Sequence, residues 1–157
     1  MVSESPGRIA GIDFGTVRIG VAISDTGGSI ASPYETYARR DERADRAYFQ
    51  KLVEQEGVCR FVIGLPVHLD GRESAKSIEA RTFGRWLGEA TGVPVEYFDE
   101  RFTTLEAEQL LTGMQLSKKK RKARLDKLAA QIMLTAYLES RHGGTHLADE
   151  PLRGLDD

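Results

Sequence analysis

Cysteine is almost missing from this sequence: Cys59 is the only one in 157 residues. That excludes an internal disulfide and any cysteine-built zinc centre. Its neighbours Val58, Phe61 and Val62 predict a small core residue at that position. Long apolar runs are absent too, and nothing approaches the roughly 20 residues that cross a bilayer. The opening Met1-Val2-Ser3-Glu4-Ser5-Pro6 has no basic region ahead of an apolar stretch, so it does not read as a secretory leader. The resulting expectation is a cytoplasmic protein without a membrane partner. Histidine is scarce, and His68, His142 and His146 have no metal-ligand spacing. No GxGxxG links the first strand to a helix, which disfavours a dinucleotide site. What remains, 40% hydrophobic and 29% charged residues, is ordinary for a globular domain. The length suits one core, with no internal repeats or linkers.

Net charge is only −2, yet the charges are unevenly placed. The window from Ser117 to Lys127 (SKKKRKARLDK) holds seven basic residues and one acid, while the remainder carries 15 basic against 23 acidic residues. An acidic protein with one concentrated basic strip attracts a polyanion locally. Nucleic acid is the polyanion this suggests.

Alternation and apolar runs predict strands at Arg8 to Phe14 and Arg18 to Ser24, joined by the tight Gly15-Thr16-Val17 connection of a hairpin. A third strand near Ile30 to Tyr37 is interrupted by Pro33, which suits an edge. A charged helix follows from about Glu42 to Glu56, with Ala44, Ala47, Tyr48, Lys51 and Leu52 at helical spacing and Gly57 as its stop. Arg60 to Gly64 is a continuous apolar run, the signature of a strand covered on both faces. Ile78, Phe83, Trp86 and Leu87 form a helical stripe between Glu73 and Thr91. Val95 to Phe98 predicts a short strand, Thr103 to Leu111 a helix, and Lys122 to Ser140 a last helix with Leu125, Leu128, Ala129, Ile132, Met133, Ala136 and Tyr137 as its apolar face. The domain expected is residues 1–141, with 142–157 a disordered acidic tail. A hairpin followed by strand–helix alternation is an α/β pattern with a mixed five-stranded sheet flanked by helices.

Acids recur where such a sheet would gather them. Asp13 ends the first strand, Asp99 and Glu100 follow the Val95–Phe98 strand, and Asp126 borders the apolar stripe of the last helix. Carboxyl ends of neighbouring parallel strands open onto one edge. Carboxylates crowded together raise one another's pKa unless cations neutralise them. Hard divalent ions take oxygen ligands and keep waters, and a metal-activated water hydrolyses phosphodiesters. Three acids beside a basic strip therefore describe a phosphodiesterase site, although any one acid alone reads better as a solvated strand end or helix start, and the case rests on the three together. Lys118, Lys119, Lys120, Arg121, Lys122 and Arg124 lead straight to Asp126 and are expected to hold a phosphate backbone. Arg18 and Arg101, each near a candidate acid, are either further phosphate contacts or structural ion-pair partners. Phe83 and Trp86 read as core residues.

Four segments resemble the YqgF/RuvX family, known as pre-16S rRNA nucleases and Holliday-junction-resolvase-like proteins. They are Gly11 to Asp25 (GIDFGTVRIGVAISD), Ile63 to Gly71 (IGLPVHLDG), Phe98 to Thr104 (FDERFTT) and Lys122 to Leu138 (KARLDKLAAQIMLTAYL). The match runs in the family's order over residues 8 to 140. Leu69, Phe102 and Leu125 depart from the family's usual Met, Leu and Val, and none of these removes an acid. The resemblance implies an RNase H-like fold related to the RuvC resolvases, with Asp13, Glu100 and Asp126 as catalytic and metal-binding residues for Mg²⁺ or Mn²⁺. Asp99 is left aside because adjacent residues of an extended segment point opposite ways. It further implies a partner that is structured RNA such as pre-16S rRNA, or branched DNA, handled by a monomer or weak homodimer. Two other classes bear on Asp13. The Asp13-Phe14-Gly15-Thr16 turn also resembles the first phosphate-binding turn of sugar kinases and actin-like ATPases, but their two-domain architecture needs a longer chain. A non-catalytic RNA-binding module would have no need of all three acids.

Overall fold

The computed structural model describes residues 7–66, 74–100 and 118–142, and in the last helix it describes side chains from Asp126 onward. Five strands and three helices succeed one another: β1 (Arg8–Asp13), β2 (Arg18–Ser24), β3 (Ala31–Ala38), α1 (Glu42–Glu56), β4 (Val58–Leu65), α2 (Ala75–Thr91), β5 (Val95–Asp99) and α3 (Lys118–His142). The sheet order is β3-β2-β1-β4-β5. The β1/β2 and β2/β3 pairs are antiparallel, and the β1/β4 and β4/β5 pairs are parallel. This is the mixed sheet expected from the hairpin and the later alternation. Pro33 lies on the edge strand β3, beside a register shift against β2, where its missing N–H breaks no inner ladder.

Helices cover both faces. Phe49 and Leu52 of α1 and Phe83 and Leu87 of α2 pack with Ile12, Phe61 and Ile63 on one side. On the other, Met133, Leu134 and Tyr137 of α3 pack with Ala22, Val62 and Phe98. Alternate residues of the central strands feed alternate layers, so β4 reads as continuously apolar. Caps set the helix bounds. Asp41 and Ser74 accept hydrogen bonds from Ala44 N and Ser77 N, and Gly57 and Gly92 close the C-termini at φ 67° and 73°.

Several local expectations are corrected. Cys59 is exposed. The β1/β4 pairing steps from Arg8↔Val58 to Ile9↔Arg60, so Cys59 is the extra residue of a β-bulge and takes no core position. On α1 the buried face is Asp45, Phe49 and Leu52, leaving Ala47 and Lys51 in solvent. On α2 Ile78 is 55% exposed, because the seam against the sheet runs through Ser77, Ala80, Phe83, Gly84 and Leu87. The last helix starts at Lys118 and continues through His142, one residue into the expected tail. The helix expected at Thr103 to Leu111 lies outside the described residues, as does the remainder of that tail.

Candidate active site

The parallel strands β1, β4 and β5 carry their carboxyl ends to one edge of the sheet, and the acids gather there. Asp13 closes β1 opposite Gly20 of β2. Glu100 directly follows β5, whose last residue Asp99 pairs with Leu65 at the end of β4. Asp126 arrives from the opposite layer, on α3. Two glycines make room for this convergence. A Cβ on Gly20 would run into the carbonyl of Asp126, so the bare strand lets α3 lie against it. A Cβ on Gly64 would stand 2.5 Å from Oε2 of Glu100, so the Glu100 side chain occupies the space above that glycine.

Asp13, Glu100 and Asp126 line one cleft of about 450 Å³ together with Thr16, Arg18 and Lys76. Its electrostatics follow from crowding. Asp13 is pushed up to about 7, first by burial and then by the charges of Glu100 and Asp126, with Lys76 opposing. Burial also raises Glu100, the neighbouring Asp99 charge adds to this, and Lys76 again opposes. Asp126 is held differently: Arg18 donates from Nε to its Oδ2 at 2.8 Å. Of the two roles open to Arg18, this geometry supplies the ion pair, while the residue still lines the cleft. Asp99 is fully buried and does not line the cleft, whereas Glu100 does.

Among the described residues, no three His, Cys, Asp or Glu side chains close into one ligand cluster. The three acids thus line a common space without forming a tight three-ligand shell. The donor set nevertheless suits a hard divalent cation. It offers carboxylate oxygens with room for waters, and a bound ion would offset both the burial and the neighbouring charges that raise Asp13.

Lys76 was not anticipated. It occupies the first turn of α2, where the positive end of the helix dipole disfavours a cation. That mismatch between residue and position is the signal that could have found it. Of the expected phosphate contacts, Arg101 lies outside the described residues, and Lys118, Lys119, Lys120, Arg121, Lys122 and Arg124 are described only as helical backbone. No described helix is long and apolar enough to cross a membrane.

Residues 7–140 match a family model described as "RuvX: Holliday junction resolvase". A protein of Rhodopirellula baltica named "Putative pre-16S rRNA nuclease" is 46% identical over 134 residues, covering 85% of this chain and 78% of its own length. A protein of Koribacter versatilis with the same name is 42% identical over 135 residues, covering 86% and 88% of the two chains. Among solved structures, Thermus thermophilus RuvC in complex with a Holliday junction substrate matches with a TM-score of 0.52 at 13% identity, over 87% of this chain and 96% of that one. At such identity the likeness speaks to the fold, which is RNase H-like.

Proposed function

The chain belongs to the RuvX family and is a hydrolase acting on phosphodiester bonds, and from that premise we propose that it is a divalent-metal-dependent nuclease maturing the 5′ end of pre-16S rRNA. The observation that carries this reading is the meeting of Asp13, Glu100 and Asp126 on one cleft at the carboxyl edge of the sheet. The substrate is supported by the names of the relatives and by the basic strip leading to Asp126.

The residues divide the work by position. Asp13 and Glu100 supply the most crowded carboxylates and are the first choice to hold Mg²⁺ or Mn²⁺, with Asp126 completing the set from α3. The bound ion would supply a metal-activated water for attack on phosphorus and neutralise charge on the phosphate. Arg18 orients Asp126 through its Nε hydrogen bond. Lys76, which lines the cleft and whose charge opposes the rise of both acids, would take a non-bridging phosphate oxygen. Lys118 to Arg124 would hold the RNA backbone without reading its sequence.

Holliday-junction resolution is the second reading, favoured by the description of the family model. Incubating the protein with labelled pre-16S rRNA and with a four-way DNA junction, under Mg²⁺, Mn²⁺ or EDTA, separates the two. The expected result is metal-dependent cutting of the RNA, lost in Asp13→Asn. Cutting of the junction alone would transfer the assignment to resolution. Equal cutting by Asp13→Asn, or none by the wild type, would end the nuclease proposal at this cleft.

A further inference from the structure

Beside the acidic cleft, and sharing Phe14, Thr16 and Glu79 with it, lies a second groove of about 490 Å³. That size falls within the range of sites for small molecules. Its chemistry differs from that of the cleft. Aromatic rings run along it, with the centroids of Phe14 and Phe83 4.9 Å apart and those of Phe83 and Trp86 5.5 Å apart. The Arg39 guanidinium lies over the first two, 5.4 Å and 5.5 Å from their centroids. Ile78 and Thr82, both exposed on α2, complete the apolar side.

Arg39 is held in place from below. Asp45 is only 2% exposed, and it accepts from Arg39 Nε at 3.3 Å, from the Tyr37 hydroxyl at 2.7 Å and from the Arg40 N–H at 2.9 Å. Burying a carboxylate is costly unless it is paired and hydrogen-bonded. Two of these three donors belong to residues 39 and 40, which both line the groove. The guanidinium plane is therefore fixed before any ligand arrives, and that removes part of the ordering cost of binding.

A planar cation fixed over aromatic rings, bordered by an exposed isoleucine, suits a flat, uncharged aromatic ligand. Continuity with the cleft narrows the ligand to something attached to a phosphodiester, and a nucleobase meets both conditions. Paired and stacked bases cannot enter such a groove without leaving their helix. We propose, resting on the nuclease reading above, that this groove holds one unpaired base of the RNA, next to the nucleotide whose phosphodiester is cut. Cleavage would then require a single-stranded nucleotide flanking the cut.

Trp86 is the chain's only tryptophan, so its emission reports on the groove in the unmodified protein. The test titrates the full chain, in EDTA, with a short single-stranded RNA and with the same sequence as a blunt RNA duplex. Saturable quenching by the single strand is expected, at a Kd roughly tenfold below that for the duplex, about the contribution of one stacked base. Thr82→Tyr changes an exposed helix position, so the fold is retained while the groove is filled. It should weaken single-strand binding by roughly the same tenfold and leave duplex binding unaltered. No quenching, equal affinity for the duplex, or an unchanged Kd in Thr82→Tyr would overturn the subsite. Quenching that survives in Asp13→Asn, which should not cut, supports it independently of catalysis. Quenching by a protein that cuts no nucleic acid would retire the nuclease reading and leave the subsite standing.

Discussion

Two glycines at the cleft differ in what their missing side chains make room for, and that difference predicts opposite phenotypes. At Gly64 the nearest atoms an added Cβ meets all belong to the Glu100 side chain, with Oε2 at 2.5 Å and Cγ at 3.0 Å. A flexible side chain can swing aside, so the fold survives and Glu100 is displaced. Gly64→Ala is expected to lower cleavage by roughly tenfold or more, the scale lost when a positioned group moves by about 1 Å, with Tm nearly unchanged. At Gly20 the added Cβ meets the backbone of Asp126 and Lys127. A helix cannot rotate away as a side chain does, so Gly20→Ala should cost about 1–3 kcal/mol through overpacking. Denaturant titration beside cleavage assays distinguishes the two. If Gly64→Ala melts early and Gly20→Ala does not, the account of both contacts is wrong.

At the scale of elements, the sequence makes some features legible and hides others for physical reasons. The hairpin strands and β4 are readable because burial of one or both faces imposes an apolar pattern on them. Helical spacing misleads in part on α1 and α2. On α1 Tyr48 does pack against the core while Ala47 and Lys51 do not. On α2 Ile78 attracts a helical stripe, but close packing to the sheet runs through small residues such as Ala80 and Gly84, and a Cβ on Gly84 would strike Tyr97. The bulge at Cys59 is invisible because nothing in Val58-Cys59-Arg60 announces a break in pairing. For the site, the acids on strand ends were legible from their positions, whereas Arg18 remained open between phosphate contact and ion pair until β2 and α3 were seen together. That pair joins two elements, and both side chains are about a quarter to a third exposed. Pairs this wet contribute about 0–1 kcal/mol. Arg18→Ala should therefore leave Tm within a few degrees of the wild type while lowering kcat, because Asp126 loses its orientation. A large fall in Tm would mark the pair as structural instead.

For the molecule as a whole, the cleft trades stability for a place to hold charge, and Asp13 shows the sign of that trade. Its ordinary value of 3.8 is raised to about 7 in the fold. Between those two values the folded chain keeps a proton that the unfolded chain has lost. Stability from this group is therefore greatest below pH 3.8, falls as pH rises through the window, and is lowest above pH 7. Without divalent ions, Asp13→Asn should melt several degrees above the wild type at pH 8 and nearer to it at pH 5, since each kcal/mol shifts Tm by roughly 2–4 °C at this size. A cation that binds only the folded chain opposes this loss of stability by mass action, worth about 2.7 kcal/mol at a hundredfold excess over its Kd. Mn²⁺ should thus raise the wild-type Tm strongly at pH 8, weakly at pH 5 where Asp13 is protonated, and little in Asp13→Asn at either pH. Scanning fluorimetry of both proteins, with Mn²⁺ and with EDTA, measures all these points. A Mn²⁺ shift that is the same in Asp13→Asn, or independent of pH, would place the ion elsewhere and leave the acidic cleft without its proposed metal.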